Sequence, residues 1–97
     1  MIVSFVDSGT ADIFNRRDTK AARRTCPVAL WSVAGRKLDL LNAAISLPSL
    51  RVPPGNRLEA LSGDRRGQHS VRINDRYRVC FVWMSNGPAQ VAVVDYH

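Results

Sequence analysis

Cysteine and histidine are scarce in this 97-residue chain, which contains two of each. Cys26 and Cys80 are too few and too far apart for a disulfide framework, and Cys80 lies in an apolar stretch typical of a buried thiol. With so few nitrogen and sulfur ligands, a structural zinc site is not expected. The sequence therefore predicts a fold that relies on its core, with no metal and no cofactor.

Long apolar runs are also missing, because Arg, Asp, Pro or Gly interrupts every strongly apolar stretch. None of these stretches is long enough to cross a bilayer. Residues 2–6 are too short for the apolar part of a secretory signal, and no basic segment precedes them. We therefore expect a cytoplasmic protein without a membrane partner. The length and the hydrophobic fraction of 45% predict one folded domain over residues 1–97.

Acidic residues are few beside basic ones. The chain has 14 Lys and Arg against 8 Asp and Glu, which gives a formal charge of +6 at pH 7. Most of the cations are arginines, whose planar guanidinium group suits bidentate contact with phosphate. This charge favours a nucleic-acid partner, although an acidic protein would be attracted by the same field.

The first quarter of the chain predicts a strand followed by a short helix. Residues 2–6 have the β-branched and aromatic content of a strand. A turn follows, and Ser8 or Thr10 is available to cap a helix over 11–16. The basic stretch at 15–24 has little apolar spacing, so it is interpreted as a mobile arm or as the start of the next helix.

A long helix is the strongest secondary-structure prediction. Pro27 is suited to the first turn of this helix, and Pro48 is expected to end it. Between them, apolar residues recur at three- and four-residue steps and form one stripe. The stripe consists of Leu30, Ala34, Leu38, Leu41 and Ile45.

The second half of the chain predicts an ordered loop and a meander of three strands. The loop at 49–67 has apolar anchors at Leu50, Val52, Leu58 and Leu61. The strands cover 68–73, 77–83 and 90–96, with turns between them. Together with the N-terminal strand and two helices packed on one face of the sheet, they predict an α+β domain.

Alternation along the predicted strands assigns side chains to the two faces of the sheet. Arg78 lies on the face opposite to Val79 and Phe81, so it is expected on the open side. His69 shares the face of Val71, which makes it either a functional imidazole or a histidine at the edge of the core.

A carboxylate, a phenol and an imidazole stand together at the end of the last strand, in Asp95, Tyr96 and His97. All three groups can transfer protons, and their position at a strand end allows them to line the rim of a cleft. The same tripeptide also fits a packed tyrosine within a solvated tail. The tripeptide alone leaves these two interpretations open.

Three motifs give the chain a resemblance to a known family. They are Leu-x-Gly-Asp-Arg-x-Gly at 61–67, Ile-Asn-Asp-x-x-Arg at 73–78 and Asp-Tyr-His at 95–97. In order and spacing they closely resemble the HigB-type toxins, the plasmid-maintenance killer branch of the RelE/ParE superfamily. The resemblance implies a RelE-like fold and ribosome-dependent mRNA cleavage. It also implies a HigA-like helix-turn-helix antitoxin, through which alone the toxin would meet operator DNA.

Metal-independent RNA cleavage through the 2′-hydroxyl needs a base, an acid and cations that hold the phosphate charge. Arg78 occupies the position of the family's phosphate-binding arginine. His97 and Tyr96 are the best acid–base pair, since imidazole titrates near working pH. Asp95 is interpreted as an orienting group for His97 or Arg78, as the base itself, or as one half of a salt bridge.

The chain departs from several HigB-type toxins in the loop before the Gly-Asp-Arg turn. Where those relatives carry a catalytic histidine, this chain has Glu59. His69 falls where they carry an aromatic residue and is a second candidate for the missing imidazole. The identity of the base therefore stays open between Glu59, His69 and His97.

Five further arginines are expected to contact the phosphates of mRNA or ribosomal RNA, which positions a strand without reading its sequence. They are Arg57, Arg65, Arg66, Arg72 and Arg76. Two other functions remain compatible with the residues: a ParE-like poison of DNA gyrase, and a catalytically idle module that binds only RNA or its antitoxin.

Overall fold

Four antiparallel strands form the sheet of this protein, which a computed structural model describes over residues 1–96. The strands are β1 (Glu59–Ala60), β2 (His69–Arg72), β3 (Tyr77–Met84) and β4 (Gly87–Asp95), and they lie in this order across the sheet. Three helices precede them: α1 (Ser8–Phe14), α2 (Lys20–Thr25) and α3 (Trp31–Ala43). The predicted α+β class is confirmed, with a short β1 that the sequence had not indicated.

The segment at 2–6 is less regular than the strand predicted there. It lies beside β4, and its bridge runs parallel, between Phe5 and Val91. Backbone hydrogen bonds join it to Pro88 and Val91, at 2.8 and 3.0 Å. The ladder stops early because Pro88 has no N–H to donate and Gln90 takes a left-handed backbone with φ of 51°.

The two short helices begin at side-chain caps. Asp7, rather than the predicted Ser8 or Thr10, caps α1, because its carboxylate accepts a 2.7 Å hydrogen bond from the backbone N–H of Thr10. Thr19 caps α2 in the same way through the N–H of Ala22. Part of the basic stretch thus forms a short helix of its own, and it is neither a mobile arm nor the start of the long helix.

The long helix is shorter than its stripe predicted. It follows a 3₁₀ turn at Val28–Leu30 and ends at Ala43, because Ala44 takes an extended backbone with ψ of 130°. Leu38 and Leu41 are fully buried, as expected of the stripe. Ile45 lies beyond the helix end and is 93% exposed, so its place in the stripe was wrong.

The loop between α3 and β1 is anchored differently from the prediction. Leu50 and Leu61 are buried, but Val52 is 71% exposed and is no anchor. A buried asparagine takes its place, since the Asn56 amide donates to the carbonyl groups of Leu50 and Val52 at 3.1 and 3.2 Å. Its amide oxygen accepts from the Lys37 ammonium at 2.5 Å.

One core lies between the helices and a single face of the sheet, as the alternation predicted. Val79 and Phe81 of β3 belong to it, whereas Arg78 and Cys80 lie on the other face. The core cluster consists of Ile13, Ala22, Cys26, Ala34, Leu38, Leu41, Leu50, Val71, Ile73, Val79, Phe81, Val91 and Val93. The sheet therefore has a covered face and a face free to build a site.

Thr10 connects α1 to the strand that ends at the site. Its buried hydroxyl accepts a 3.0 Å hydrogen bond from the N–H of Val93 in β4. Thr10→Val should lower the free energy of unfolding by about 1–3 kcal/mol, because it leaves that buried N–H without a partner. Thr10→Ser keeps the hydroxyl and should lose much less. Urea unfolding of both variants measures the difference, and equal losses would show that the hydroxyl is unimportant.

Within the part of the chain that the structure describes, none of the helices is both long and apolar enough to cross a membrane.

Candidate functional site

Arg78 is the centre of the open face of the sheet. It lies opposite Arg72 of β2 and Val94 of β4. Its Nε donates to the Ser70 hydroxyl at 2.6 Å, and its Nη2 donates to the carbonyl oxygen of Arg57 at 2.6 Å. The side chain is only 11% exposed. The guanidinium is therefore held in one orientation by groups from two neighbouring segments.

The positive charge of Arg78 is incompletely balanced by its surroundings. A hydroxyl and a carbonyl are neutral partners, and the Glu59 carboxylate approaches only to 4.0 Å from Nη2. Glu59 is the single glutamate of the chain, and its side chain is 55% exposed. Because a buried charge is costly without a counter-charge, this arrangement favours the binding of an external anion.

Tyr96 and Arg65 lie together at the end of β4 nearest to the site. The backbone N–H of Tyr96 donates to the carbonyl of Arg76 at 2.6 Å, which holds the chain end beside β3. The guanidinium of Arg65 lies 6.0 Å from the centroid of the Tyr96 ring, and it also donates to the Gln68 amide oxygen at 3.2 Å. The phenol thus stands beside a second cation.

A groove of about 510 Å³ lies along β4, and Arg65 and Cys80 line it whereas Arg78, Glu59 and Tyr96 do not. Its floor includes Cys80 and Ala92, which are cross-strand partners on the face of Arg78. Arg24, Arg65, Gln68 and Asp95 are among the polar groups that line it. Burial raises the pKa of the Cys80 thiol above its ordinary value, and the nearby Arg65 and Arg78 oppose this shift. Cys80 is consequently a neutral part of the floor at neutral pH.

Asp95 is paired with Arg76 rather than with Arg78. Its two carboxylate oxygens accept from Nε and Nη2 of Arg76 at 2.8 to 3.0 Å. These hydrogen bonds raise the pKa of the Arg76 guanidinium. Asp95 is the cross-strand partner of Tyr77, one position away from the pair of Arg78 and Val94. Of the roles predicted for Asp95, the structure displays the salt bridge.

His69 lies on the covered side of the sheet, away from Arg78. Its cross-strand partner is Phe81, and the two rings are stacked with centroids 6.3 Å apart. Its Nδ1 is buried and has no hydrogen-bond partner among residues 1–96. The ring borders a small cavity of about 170 Å³ near Leu58 and Arg51. The structure therefore does not bring His69 together with Glu59, Arg78 and Tyr96.

The remaining predicted residues lie at different distances from the site. His97 lies outside the described residues. Arg72 shares the face of Arg78 and is paired with Asp75, while Arg66 is exposed on the loop before β2. Arg57 has a left-handed backbone with φ of 46°, and its carbonyl group accepts the hydrogen bond from Arg78.

Two functional contributions were missed by sequence reasoning. They are the Ser70 hydroxyl and the Arg57 carbonyl, both of which orient Arg78. Alternation along the predicted strand at 68–73 places Ser70 only on the face opposite to His69 and Val71. Only the pairing of β2 with β3 brings it next to Arg78, and a backbone carbonyl leaves no signal in residue identity.

Comparisons with known proteins agree with this architecture. Residues 3–97 match the family model described as the RelE-like toxin of type II toxin–antitoxin system HigB. The chain is similar to the toxin HigB-1 of Vibrio cholerae, with 40% identity over 74 residues, which covers 76% of this chain and 77% of that protein. It is also similar to an uncharacterized protein of Haemophilus influenzae, with 37% identity over 60 residues, 62% of this chain and 59% of that protein. Since the family model covers nearly the whole chain, this protein belongs to the HigB-like family of RelE-like toxins from type II toxin–antitoxin systems.

Proposed function

We propose that this toxin is a ribosome-dependent mRNA endonuclease that stops translation, and that the toxin domain comprises all of residues 1–97. The observation that carries the proposal is the state of Arg78. Its guanidinium is nearly buried, oriented by two neutral partners and only weakly balanced by Glu59. A site of this kind suits the extra negative charge that develops on a phosphate during cleavage.

The proposed reaction uses the 2′-hydroxyl of the message as its nucleophile. A base removes the 2′ proton, the 2′ oxygen attacks the adjacent phosphorus, and the bond from phosphorus to the 5′ oxygen breaks. An acid donates a proton to the departing 5′ oxygen, so the products are a 2′,3′-cyclic phosphate and a 5′-hydroxyl. Arg78 stabilises the charge on the phosphoryl oxygens between these two proton transfers. No metal is needed for this sequence of steps.

Glu59 is the base that the geometry supports best. Its carboxylate lies 4.0 Å from Arg78 and its side chain is half-exposed, so a 2′-hydroxyl held at the guanidinium has access to it. His69 is a weaker candidate because its strand partner, Phe81, belongs to the covered face. His97 remains a candidate, since it follows Tyr96 directly in the chain.

Tyr96 is proposed as the group next to the leaving oxygen. The residue is 36% exposed, and its ring lies beside the Arg65 guanidinium. A hydroxyl at this place is suited to donate a proton to the departing 5′ oxygen. The ring face also offers a surface on which a nucleobase stacks.

Arginines on the surrounding surface would hold the message and ribosomal RNA. Arg57, Arg65 and Arg66 lie on the loops beside the open face, and Arg72 lies directly opposite Arg78. Such contacts neutralise phosphates without reading bases. A basic surface and a reaction through the 2′-hydroxyl are both suited to an RNA substrate, and the net charge of +6 agrees with this choice of substrate.

Mapping of mRNA 5′ ends after induction tests the proposal. The wild-type toxin should create new 5′ ends inside translated messages, and a version that ends at Asp95 should create none. Tyr96→Phe is the matched variant, because it keeps the ring beside Arg65 and removes only the hydroxyl. If the hydroxyl is the acid, Tyr96→Phe should cut about 10²–10⁴-fold more slowly than wild type.

Folding of each variant is checked by its co-purification with the antitoxin. If cells that express the wild-type toxin stop growing while their messages stay intact, the nuclease proposal is contradicted. That result would favour a ParE-like gyrase poison, whose action does not require proton-transferring groups at the chain end. Intact messages together with normal growth would point to an idle binding module.

A further inference from the structure

The outer side of α3 carries an open groove that the proposed chemistry does not use. The helix buries Ala34, Leu38 and Leu41 towards the sheet. On its other side lies a groove of about 550 Å³, called the α3 groove below. Its lining consists of Arg36, Lys37, Asp39, Leu40, Ala43 and Pro53.

Apolar side chains are unusually accessible along and beyond this groove. Leu40 in its wall is 38% exposed. Ile45, two positions after Ala43, is 93% exposed, and Val52, which precedes Pro53, is 71% exposed. Single exposed aliphatic side chains are common on soluble proteins, but a groove with an exposed leucine in its wall and further exposed aliphatic residues close in sequence to its lining is typical of a protein-binding surface.

The charges in the α3 groove are positive and unbalanced. Asp39 is already paired with Arg16 at 2.7 Å. Lys37 donates to the neutral Asn56 amide, and within residues 1–96 neither Lys37 nor Arg36 forms a salt bridge. Burial lowers the pKa of Lys37, and the nearby Arg36 and Arg72 lower it further. A carboxylate placed between the two cations of the groove would relieve this repulsion.

From this combination we infer that the α3 groove is the docking site for an acidic amphipathic helix of the antitoxin. The existence of an antitoxin follows from membership in a type II toxin–antitoxin family. Apolar side chains of that helix would cover Leu40, Ala43 and Pro53, and its carboxylates would lie beside Arg36 and Lys37. This is the helix-in-groove mode of recognition, with an apolar seam and a charged rim.

A protein helix fits the α3 groove better than RNA does. Nucleic acid would leave the aliphatic wall without a matching surface, and among residues 1–96 no aromatic ring on which a base could stack lines the groove. Neither Arg78 nor its partners Ser70 and Arg57 line the α3 groove, and Arg78 lies on the sheet face opposite to the helices. The groove is therefore distinct from the proposed site of cleavage.

Titration calorimetry with the protein encoded by the adjoining reading frame tests the inference. Leu40→Glu and Arg36→Glu should each weaken its binding by about ten-fold or more, because a new anion repels the acidic helix. Arg36 is exposed and has no salt bridge among residues 1–96, so Arg36→Glu is not expected to disturb folding. No RNA is present, so the result does not depend on the nuclease proposed above.

Two matched variants control for charge and for added glutamate. Lys20→Glu changes an exposed cation on α2, and Met84→Glu changes a 48% exposed apolar residue at the end of β3. Both should bind the antitoxin within about two-fold of wild type. A Glu→Arg change in the antitoxin that restores binding to Arg36→Glu would identify the contacting carboxylate.

Equal affinities across all four variants would overturn the inference. It would also fail if Leu40→Glu and Arg36→Glu lost ribosome binding but retained the antitoxin, since the groove would then be an RNA surface. Denaturation curves of the free variants show whether any loss of affinity reflects unfolding instead. In that case the charge-restoring antitoxin variant decides, because it cannot rescue an unfolded toxin.

Discussion

Arg78→Ala is expected to slow mRNA cleavage on programmed ribosomes by about 10²–10³-fold, which corresponds to a barrier increase of roughly 3–4 kcal/mol. The reason is that, in the proposed reaction, one oriented cation faces the position where phosphate charge develops. Surface arginines cannot produce an effect of this size, because an exposed charge pair contributes only about 0–1 kcal/mol. Single-turnover cleavage of a labelled message measures the rate.

A loss of stability must be separated from this loss of rate. Arg78→Ala leaves the Ser70 hydroxyl and the Arg57 carbonyl without their donor, which should lower the free energy of unfolding by about 1–3 kcal/mol. Arg78→Lys keeps the charge but not the fork that reaches both partners, so its rate should lie between those of Ala and wild type. Thermal unfolding of both variants shows whether they are folded at the assay temperature.

The matched control for Arg78 is Arg51→Ala. Arg51 is exposed and borders the cavity of His69 on the covered side of the sheet, away from Arg78. Its removal lowers the net charge by the same amount as the removal of Arg78. Cleavage by Arg51→Ala should stay close to wild type. If Arg78→Ala and Arg51→Ala lost rate equally, the effect would come from total charge, and the catalytic assignment of Arg78 would be wrong.

Gly9→Ala should destabilise the fold although alanine is the better helix former. A Cβ atom at Gly9 would lie 2.6 Å from the carbonyl oxygen of Ala21 and would also collide with the Thr25 hydroxyl. The gain in helix propensity is about 1 kcal/mol, whereas overpacking against a fixed backbone costs about 3 kcal/mol. Since α1 and α2 must move apart, we expect a net loss of about 2 kcal/mol and a fall in melting temperature of roughly 10–15 °C.

Gly55→Ala is the control for this prediction. No atom of the described chain lies within 4 Å of a Cβ built at Gly55, outside its two chain neighbours, so the same chemical change meets open space. Its melting temperature should stay within about 3 °C of wild type. A Gly9→Ala protein as stable as Gly55→Ala would show that the two helices are packed less closely than the structure describes.

The Gly9 contact also bears on the site. Thr10, the next residue, holds β4 through the N–H of Val93, and β4 ends at Asp95, directly before Tyr96. A shift of α1 would therefore be transmitted to the end of the strand that carries the proposed acid. Gly9→Ala should reduce the yield of folded protein more than it changes the cleavage rate per folded molecule, because the contact itself lies away from Arg78.

The sequence alone was sufficient wherever the determining pattern is local. Alternation over a few residues assigned Arg78 to the open face and Val79 and Phe81 to the core, because successive side chains of a strand point to opposite sides. The apolar stripe predicted α3 and its buried Leu38 and Leu41 in the same way. The family motifs were recognisable for a related reason, since they depend on residue order and spacing.

The sequence analysis misjudged features that depend on where a helix ends or on which strand lies beside a segment. Ile45 has the right spacing for the stripe, yet the backbone leaves the helix at Ala44 and exposes it. Residues 2–6 have the composition of a strand, but the strand beside them contains a proline and a left-handed residue that limit pairing. Composition does not record the neighbour against which a segment must pair.

The partners of the charged groups were decided only by the tertiary structure. Because of the strand register, Asp95 is paired with Arg76, and Glu59 lies within 4.0 Å of Arg78. The same register places His69 on the covered face beside Phe81. These contacts join residues 19, 19 and 12 positions apart in the sequence, as the differences 95 − 76, 78 − 59 and 81 − 69 give. Residue types fix which groups are available for acid–base chemistry, whereas distance and orientation between strands decide which of them act on the same phosphate.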